Sequence, residues 1–434
     1  MTPSAQQLQL SFAHLAGDPH SLLYFFRFLT QGTSGLPHDV QQQFSGLEAW
    51  QGVDGLTESL RQLTKAPDDA DVLLTSRSAT LMQMGSDRLA NSCQRVLTVD
   101  LLWPPYRRIL TRACRRQGVK LSICPLRTAA LFEEVSSHGL AQRVCDAYIE
   151  NRCDGLVLPL IDHRGIFLPI PQIIAQLRAS GHSPQQFVVD ISQAIGHTEI
   201  DFQSLGCDLA IGGAHKWLGG YHPLGIGIAK NGFQEKGSQR LPSDPILRLT
   251  QEAAGRLTSR HGETAAILPL ITAAGALADL QQFSVAERLA VRVANRRLLA
   301  SLLVYAGWQP LRSQIEQHGI LLSRYPTDGK RVAGTALRES LADKGIAATC
   351  YANGLVRFSM PSTPLTETDL RSIRDAVTPI QNRPFLLPIP ASLPKRKRSF
   401  PCPMVESTTV QPAGSMRPTE IKPFNPTTTE NSVA

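Results

Sequence analysis

A chain of 434 residues, 42% hydrophobic and 18% charged, can bury a large core and has room for two domains with extensions. The formal net charge is +8, but from Gln381 onward seven Lys or Arg face three Glu. Half of the charge therefore sits in the tail and the rest is spread thinly, which argues against a nucleic-acid partner. No apolar run approaches the roughly 18 residues of a membrane span, and MTPSAQQLQLSFAHLAGDP lacks the basic and apolar regions of a secretory signal. Taken in chain order, DVLLT, RVLTV, GLVLP, FVVD, DLAIGG and GIGIA read as short strands that alternate with helical patterns through the middle of the chain. That alternation predicts an α/β fold built on a doubly wound sheet. FVVD is an apolar run ending in a carboxylate, so it predicts a buried parallel strand with Asp190 at its carboxyl end, the edge where ligands bind in open sheets.

The segment from Val188 to Lys230 carries the most chemistry. DLAIGG ends as FVVD does, and the turn after it holds His215 and Lys216, so two neighbouring strand ends present Asp190 and Lys216 to one pocket. A buried carboxylate is what keeps the ring nitrogen of pyridoxal 5′-phosphate protonated, and a desolvated lysine is a usable nucleophile and proton shuttle. Gln193, three residues after the acid, can hydrogen-bond the phenolic oxygen of that cofactor. His215 can reach its phosphate or the lysine. An N-capping Asp and a solvated His-Lys pair are the ordinary readings of these residues taken singly; their combination favours the cofactor site.

With these motifs the chain resembles the fold-type I pyridoxal phosphate enzymes of the class V aminotransferase group, which includes cysteine desulfurases, kynureninases and isopenicillin N epimerase-like proteins. The resemblance runs from about Tyr24 to Val377. It implies a fold-type I aminotransferase-like architecture: a mostly parallel doubly wound sheet and a smaller C-terminal α/β domain. It also implies a Schiff base on Lys216. DVLLTSRSATLMQMGSDRLA looks like the group's strand, hydroxyl turn and helix, with Ala79 and Thr80 at a helix start suited to phosphate. Trp103, in RVLTVDLLWPPY, aligns with the residue that stacks on the ring. Asp162, in GLVLPLIDHRGIFLP, stands where relatives usually carry an Asn at the phenolic oxygen; a second carboxylate there would disfavour the phenolate unless protonated or turned away. LTSRHGETAAIL is similar to a segment whose threonine reaches the phosphate of the other subunit, which gives Thr264 that role and implies a homodimer. NGLVRFSMPSTPLTETDL resembles the C-terminal signature, whose arginine, here Arg357, forks onto the substrate carboxylate.

Two departures narrow the reaction. Desulfurases carry their persulfide-forming cysteine on a loop before this arginine, yet GIAATCYANGLVR leaves little room for one, and Cys350 reads as an inert apolar-strand cysteine. Gly213 replaces a serine that the group often uses near the phosphate. The expected activity is pyridoxal phosphate chemistry at the Cα of an α-amino acid, as an aminotransferase or a kynureninase or C–S lyase-like enzyme. The alternatives are a cysteine desulfurase or an amino acid epimerase and, from another class, a non-catalytic cofactor-binding regulatory or assembly protein.

The predicted organisation is an N-terminal segment 1–39 packing on the small domain, a cofactor domain 40–265, a small domain 266–380 and a disordered tail 381–434. The tail holds ten of the thirty prolines and the run Lys395 to Arg398. Eight cysteines show no CxxC pair and no metal-ligand spacing, which fits reduced thiols in a cytoplasmic protein with no metal site.

Overall fold

Alternate residues of each central strand enter different cores. Val96, Val157, Val188, Leu209 and Ile211 pack on one side with the helices Ser78–Ser92 and Pro104–Gln117. Leu97, Leu156, Leu158, Val189 and Ala210 pack on the other, against the helices Gly52–Leu63, Ser137–Glu150, Ile170–Ala179 and Leu268–Gln282. Side chains alternate across a strand, so near-continuous apolar runs such as LVLP and FVVD suit a sheet covered on both faces. These features come from a computed structural model that describes residues 8–9, 52–133, 135–230, 232–233, 244–253, 266–282, 284–311, 318–326 and 332–378.

After β1 (Leu8–Gln9), the large sheet is made of β2 (Asp71–Thr75), β3 (Arg95–Val99), β4 (Lys120–Cys124), β5 (Gly155–Pro159), β6 (Gln186–Asp190), β7 (Leu209–Gly213) and β8 (Gly225–Ala229). The order is β2-β8-β7-β6-β5-β3-β4, with β8 antiparallel to both neighbours and the other pairings parallel. The parallel register Pro159↔Asp190 and Asp190↔Ile211 brings the ends of β5, β6 and β7 to one edge.

A second, antiparallel sheet is built from β9 (Gln309–Pro310), β10 (Ile320–Arg324), β12 (Thr349–Cys350) and β13 (Leu355–Ser359), while β11 (Ile346–Ala347) pairs with β1 in parallel. It has its own core around Leu299, Trp308, Leu321, Phe358 and Ile373. Two helices beside it begin in capping boxes, Ser284 with Glu287 and Thr366 with Asp369, each satisfying backbone N–H groups that a helix start leaves open. The second is the TETDL pattern of the sequence. The expected fold class is the one observed. All described residues fall in a single compact unit, Met1–Leu387. Among them, no helix is long and apolar enough to cross a membrane.

Candidate active site

Asp190 closes β6 and is 6% exposed, with its Oδ1 accepting the backbone N–H of Ser192 at 2.9 Å. Lys216 lies in the turn after β7. Burial pushes the Asp190 carboxyl up and the Lys216 amine down, and each partly offsets the shift of the other by its charge. The amine has no hydrogen bond or ion pair among the described residues. Its Nζ lies 5.9 Å from the centroid of the Trp103 ring. An amine held in a desolvated pocket beside a buried carboxylate is a group poised to react rather than one solvated for solubility.

Trp103 precedes a helix whose first two positions are Pro104 and Pro105, residues preorganised for a helix start. Its ring is 42% exposed and makes an edge contact with Tyr106 at 5.1 Å. Tyr106 is buried beside Asp190. Burial first and the Asp190 charge second push its phenol up, while the nearby hydroxyls of Ser78 and Ser192 act to lower it.

Gln193 is buried and accepts the Trp217 indole N–H at Oε1, 2.8 Å. Because that indole can only donate, the amide nitrogen of Gln193 is left as the donor end, which suits an anionic oxygen. His215 is pushed down to about 4 by burial and the Lys216 charge, so it is neutral at pH 7. Behind these residues, His197 stacks on Trp217 at 3.7 Å, and the Arg292 guanidinium lies 5.1 Å from the centroid of the Trp217 ring while its Nη1 donates to Gly196 O at 2.9 Å. Gly196 has φ 73°, and a Cβ there would meet the Leu218 Cα at 2.5 Å, so only glycine lets this loop close on the lysine turn.

Ala79 and Thr80 are in the first turn of the helix Ser78–Ser92. The Thr80 hydroxyl, however, is directed at Asp244 Oδ2 (3.4 Å), and that carboxylate also accepts from Ser76 and caps the helix Pro245–Ala253 through Ile246 and Leu247. The hydroxyl of this turn that meets the Asp190 neighbourhood is that of Ser78. Asp162 is buried. Its Oδ1 accepts from the backbone of Arg164 and Ile166, both at 2.8 Å, while Oδ2 has no hydrogen bond, and burial pushes the carboxyl up to about 6. Arg357, on β13, is fully buried; its Nη1 donates to the His163 carbonyl and its Nη2 to Thr349 Oγ1 at 2.9 Å. Its charge acts on Lys216, which places it at the same pocket. Thr264 lies outside the described residues.

Ser78, Tyr106, Ser192, His163 and Arg164 join the site only in the structure. Tyr106 had a signal, an aromatic three residues beyond Trp103 on the same helix start. Arg164 had one too, a basic residue in the DHRG turn.

The donor set fits pyridoxal phosphate on one observation above all: the partnerless amine of Lys216 facing the same pocket as buried Asp190. The sequence model of the aminotransferase class-V family matches residues 28–236. Isopenicillin N epimerase of Amycolatopsis lactamdurans is 26% identical over 152 residues, 34% of this chain and 35% of that protein. A cysteine desulfurase of Enterobacter sp. (strain 638) is 31% identical over 116 residues, 26% of this chain and 25% of its own. The chain thus matches about a third or less of the length of these relatives. Among solved structures, the ureidoglycine-glyoxylate aminotransferase of Bacillus subtilis superposes with TM-score 0.66 at 15% identity, covering 86% of this chain and 92% of its own. A cysteine desulfurase of Escherichia coli gives 0.63 at 16%, covering 86% and 95%. Residues 28–236 match the class-V aminotransferase family, and the chain has the fold of the pyridoxal phosphate-dependent group that its motifs resemble.

Proposed function

We propose that the protein is a pyridoxal phosphate-dependent enzyme acting at the Cα of an α-amino acid, by amino-group transfer or by side-chain cleavage of the kynureninase or C–S lyase kind. The observation that supports this most is the juxtaposition of Lys216 and Asp190 at adjacent parallel strand ends. When bound, pyridoxal phosphate supplies an electron sink for the charge left at the substrate Cα. Asp190 would pair with the ring nitrogen, Trp103 would cover the ring, and the Gln193 amide nitrogen would donate to the phenolic oxygen. The helix start at Ser78, Ala79 and Thr80, with His215 nearby, would hold the phosphate. Lys216, whose amine burial biases toward the neutral form, would form the covalent link and afterwards carry the Cα proton. Arg357 would orient the substrate carboxylate. The same reading makes the protein a cytoplasmic homodimer in which Thr264 completes the phosphate site of the other protomer.

Persulfide chemistry fits less well. Burial pushes the Cys350 thiol up to about 12, so at neutral pH it is protonated and a poor nucleophile. The deciding experiment is a spectral screen of amino acids against purified holoprotein, with mass analysis of products. A substrate should shift the visible cofactor band and yield a keto acid or a cleavage product. Cofactor absorbance that no amino acid moves would instead favour a non-catalytic, cofactor-binding protein.

A further inference from the structure

The turn after β5 is rigid. Asp162 Oδ1 accepts from two backbone N–H groups, Gly165 N–H donates to the Asp162 carbonyl at 3.1 Å, and Gly165 has φ 98° with its Cα side pressed on Ile320, where a Cβ would come within 2.6 Å. This turn holds the Arg164 guanidinium 5.2 Å over the Tyr351 ring, and the Tyr351 hydroxyl in turn donates to the His163 carbonyl at 2.9 Å. Arg164 Nε and Nη1 are shielded from solvent and make no hydrogen bond. Arg127, in the helix Arg127–Phe132 after β4, has its Nε in the same condition while Nη2 donates to the Asp100 carbonyl. No carboxylate forms an ion pair with either arginine among the described residues.

The two guanidinium groups repel each other, and with Arg357 and Lys216 they hold His163 neutral, down to about 3, after the larger effect of its burial. The acids that act on Arg164 are Asp162, whose Oδ2 lies 3.9 Å from His163 Nδ1, and Asp100, and neither forms an ion pair with it among the described residues. Shielded guanidinium N–H groups without an acceptor are unfavourable, and planar N–H pairs are the fittest donors for a carboxylate. Arg357, which donates to the His163 carbonyl, is an arginine whose charge acts on Lys216.

We propose that Arg164, with Arg127 beside it, forms a second anion-reading subsite that binds an acidic group on the substrate side chain, so that the preferred amino acid is dicarboxylic. The proposal rests on the pyridoxal phosphate reading above, and it adds the substrate class to it.

Calorimetric titration of the holoprotein with succinate and with propionate, in a buffer free of phosphate, tests it without turnover. Succinate should bind at least about tenfold tighter, a margin of roughly 1.4 kcal/mol. Arg164→Gln should erase the margin while propionate affinity stays as it was, and Arg164→Lys, which keeps the charge and the fold but loses the fork, should retain part of it. Equal affinity for the two acids in the unmodified protein overturns the proposal, as does a succinate margin that survives Arg164→Gln. The cofactor spectrum of the same samples is read separately: its absence counts against the pyridoxal phosphate reading, whatever the isotherms show.

Discussion

Trp217 donates its indole N–H to Gln193 Oε1 at 2.8 Å, which ties the residue after the proposed cofactor lysine to the residue three beyond the proposed ring acid. His197 secures the same pair from behind: its Nδ1 donates to the Gln193 carbonyl at 2.8 Å and its Nε2 accepts from Gly319 N–H at 2.7 Å. Both ring nitrogens are engaged by one neutral tautomer, and burial keeps His197 far below its ordinary pKa. Trp217→Phe keeps the stack and removes the donor, leaving a buried amide oxygen unsatisfied. The variant should lose about 1–3 kcal/mol of stability and shift the visible absorbance of the holoprotein, because Gln193 is released to turn. Melting curves and spectra indistinguishable from the parent would contradict this role.

Lys216→Ala should remove the adduct that borohydride fixes to the protein. Peptide mass mapping of the parent should locate the reduced cofactor at residue 216. A wild-type yield of adduct in the variant would move the attachment elsewhere.

Asp190→Asn should still bind cofactor, since the amide fits the same space, yet exchange of the substrate Cα proton with deuterated solvent should slow by on the order of a hundredfold or more. Nuclear magnetic resonance of the amino acid pool measures it. Near-parental exchange would take the ring-nitrogen role away from Asp190.

Asp162 supplies a pH signature. Its folded-state pKa is raised from the ordinary value of 3.8 to about 6, so the folded protein holds this proton more tightly than the unfolded chain does. The stability it contributes is present below about pH 4 and is lost as pH rises through 6. Asp162→Asn keeps the Oδ1 acceptor and has no charge to bury. It should therefore be more stable than the parent at pH 8, by about 1–3 kcal/mol, with the margin shrinking toward pH 4. A margin independent of pH would sink the assignment.

Cys350→Ser should retain turnover to within about tenfold, the size of a modest packing change near 1 kcal/mol placed wholly on the transition state. After incubation with cysteine, no persulfide should form at residue 350. A persulfide there, with an inactive serine variant, would make the protein a desulfurase.

Much of this arrangement is legible in the sequence because it depends on strand ends. FVVD and DLAIGG terminate where their apolar runs do, at Asp190 and Gly213, and parallel pairing then fixes Asp190 and Lys216 at one edge. Side-chain directions at helix starts are not legible in this way. Thr80 faces Asp244, a partner 164 residues away, and that contact belongs to tertiary packing rather than to the SAT turn. Arg164 and Arg127 follow different strands, and their proximity emerges only from the order of the sheet, in which β3 separates β4 from β5. Arg357 follows from the C-terminal signature that its segment resembles, while its hydrogen bonds to the His163 carbonyl and Thr349 belong to tertiary packing.

The antiparallel placement of β8 sets an order of events during synthesis. Among the described residues, β2 is an edge strand paired with β8 alone, with Asp71 opposite Ala229. At translation rates of about 5–20 residues per second, the first strand of the sheet waits roughly ten seconds or more for its partner to leave the ribosome. Until then the turn from Ser76 to Ser78 and the lysine turn, which follow the two strands that β8 joins, are not brought together. A nascent chain stopped before Gly225 has β6 and β7 for Asp190 and Lys216 but lacks the strand that joins β2 to them, and its β2 edge is open to pairing with another chain.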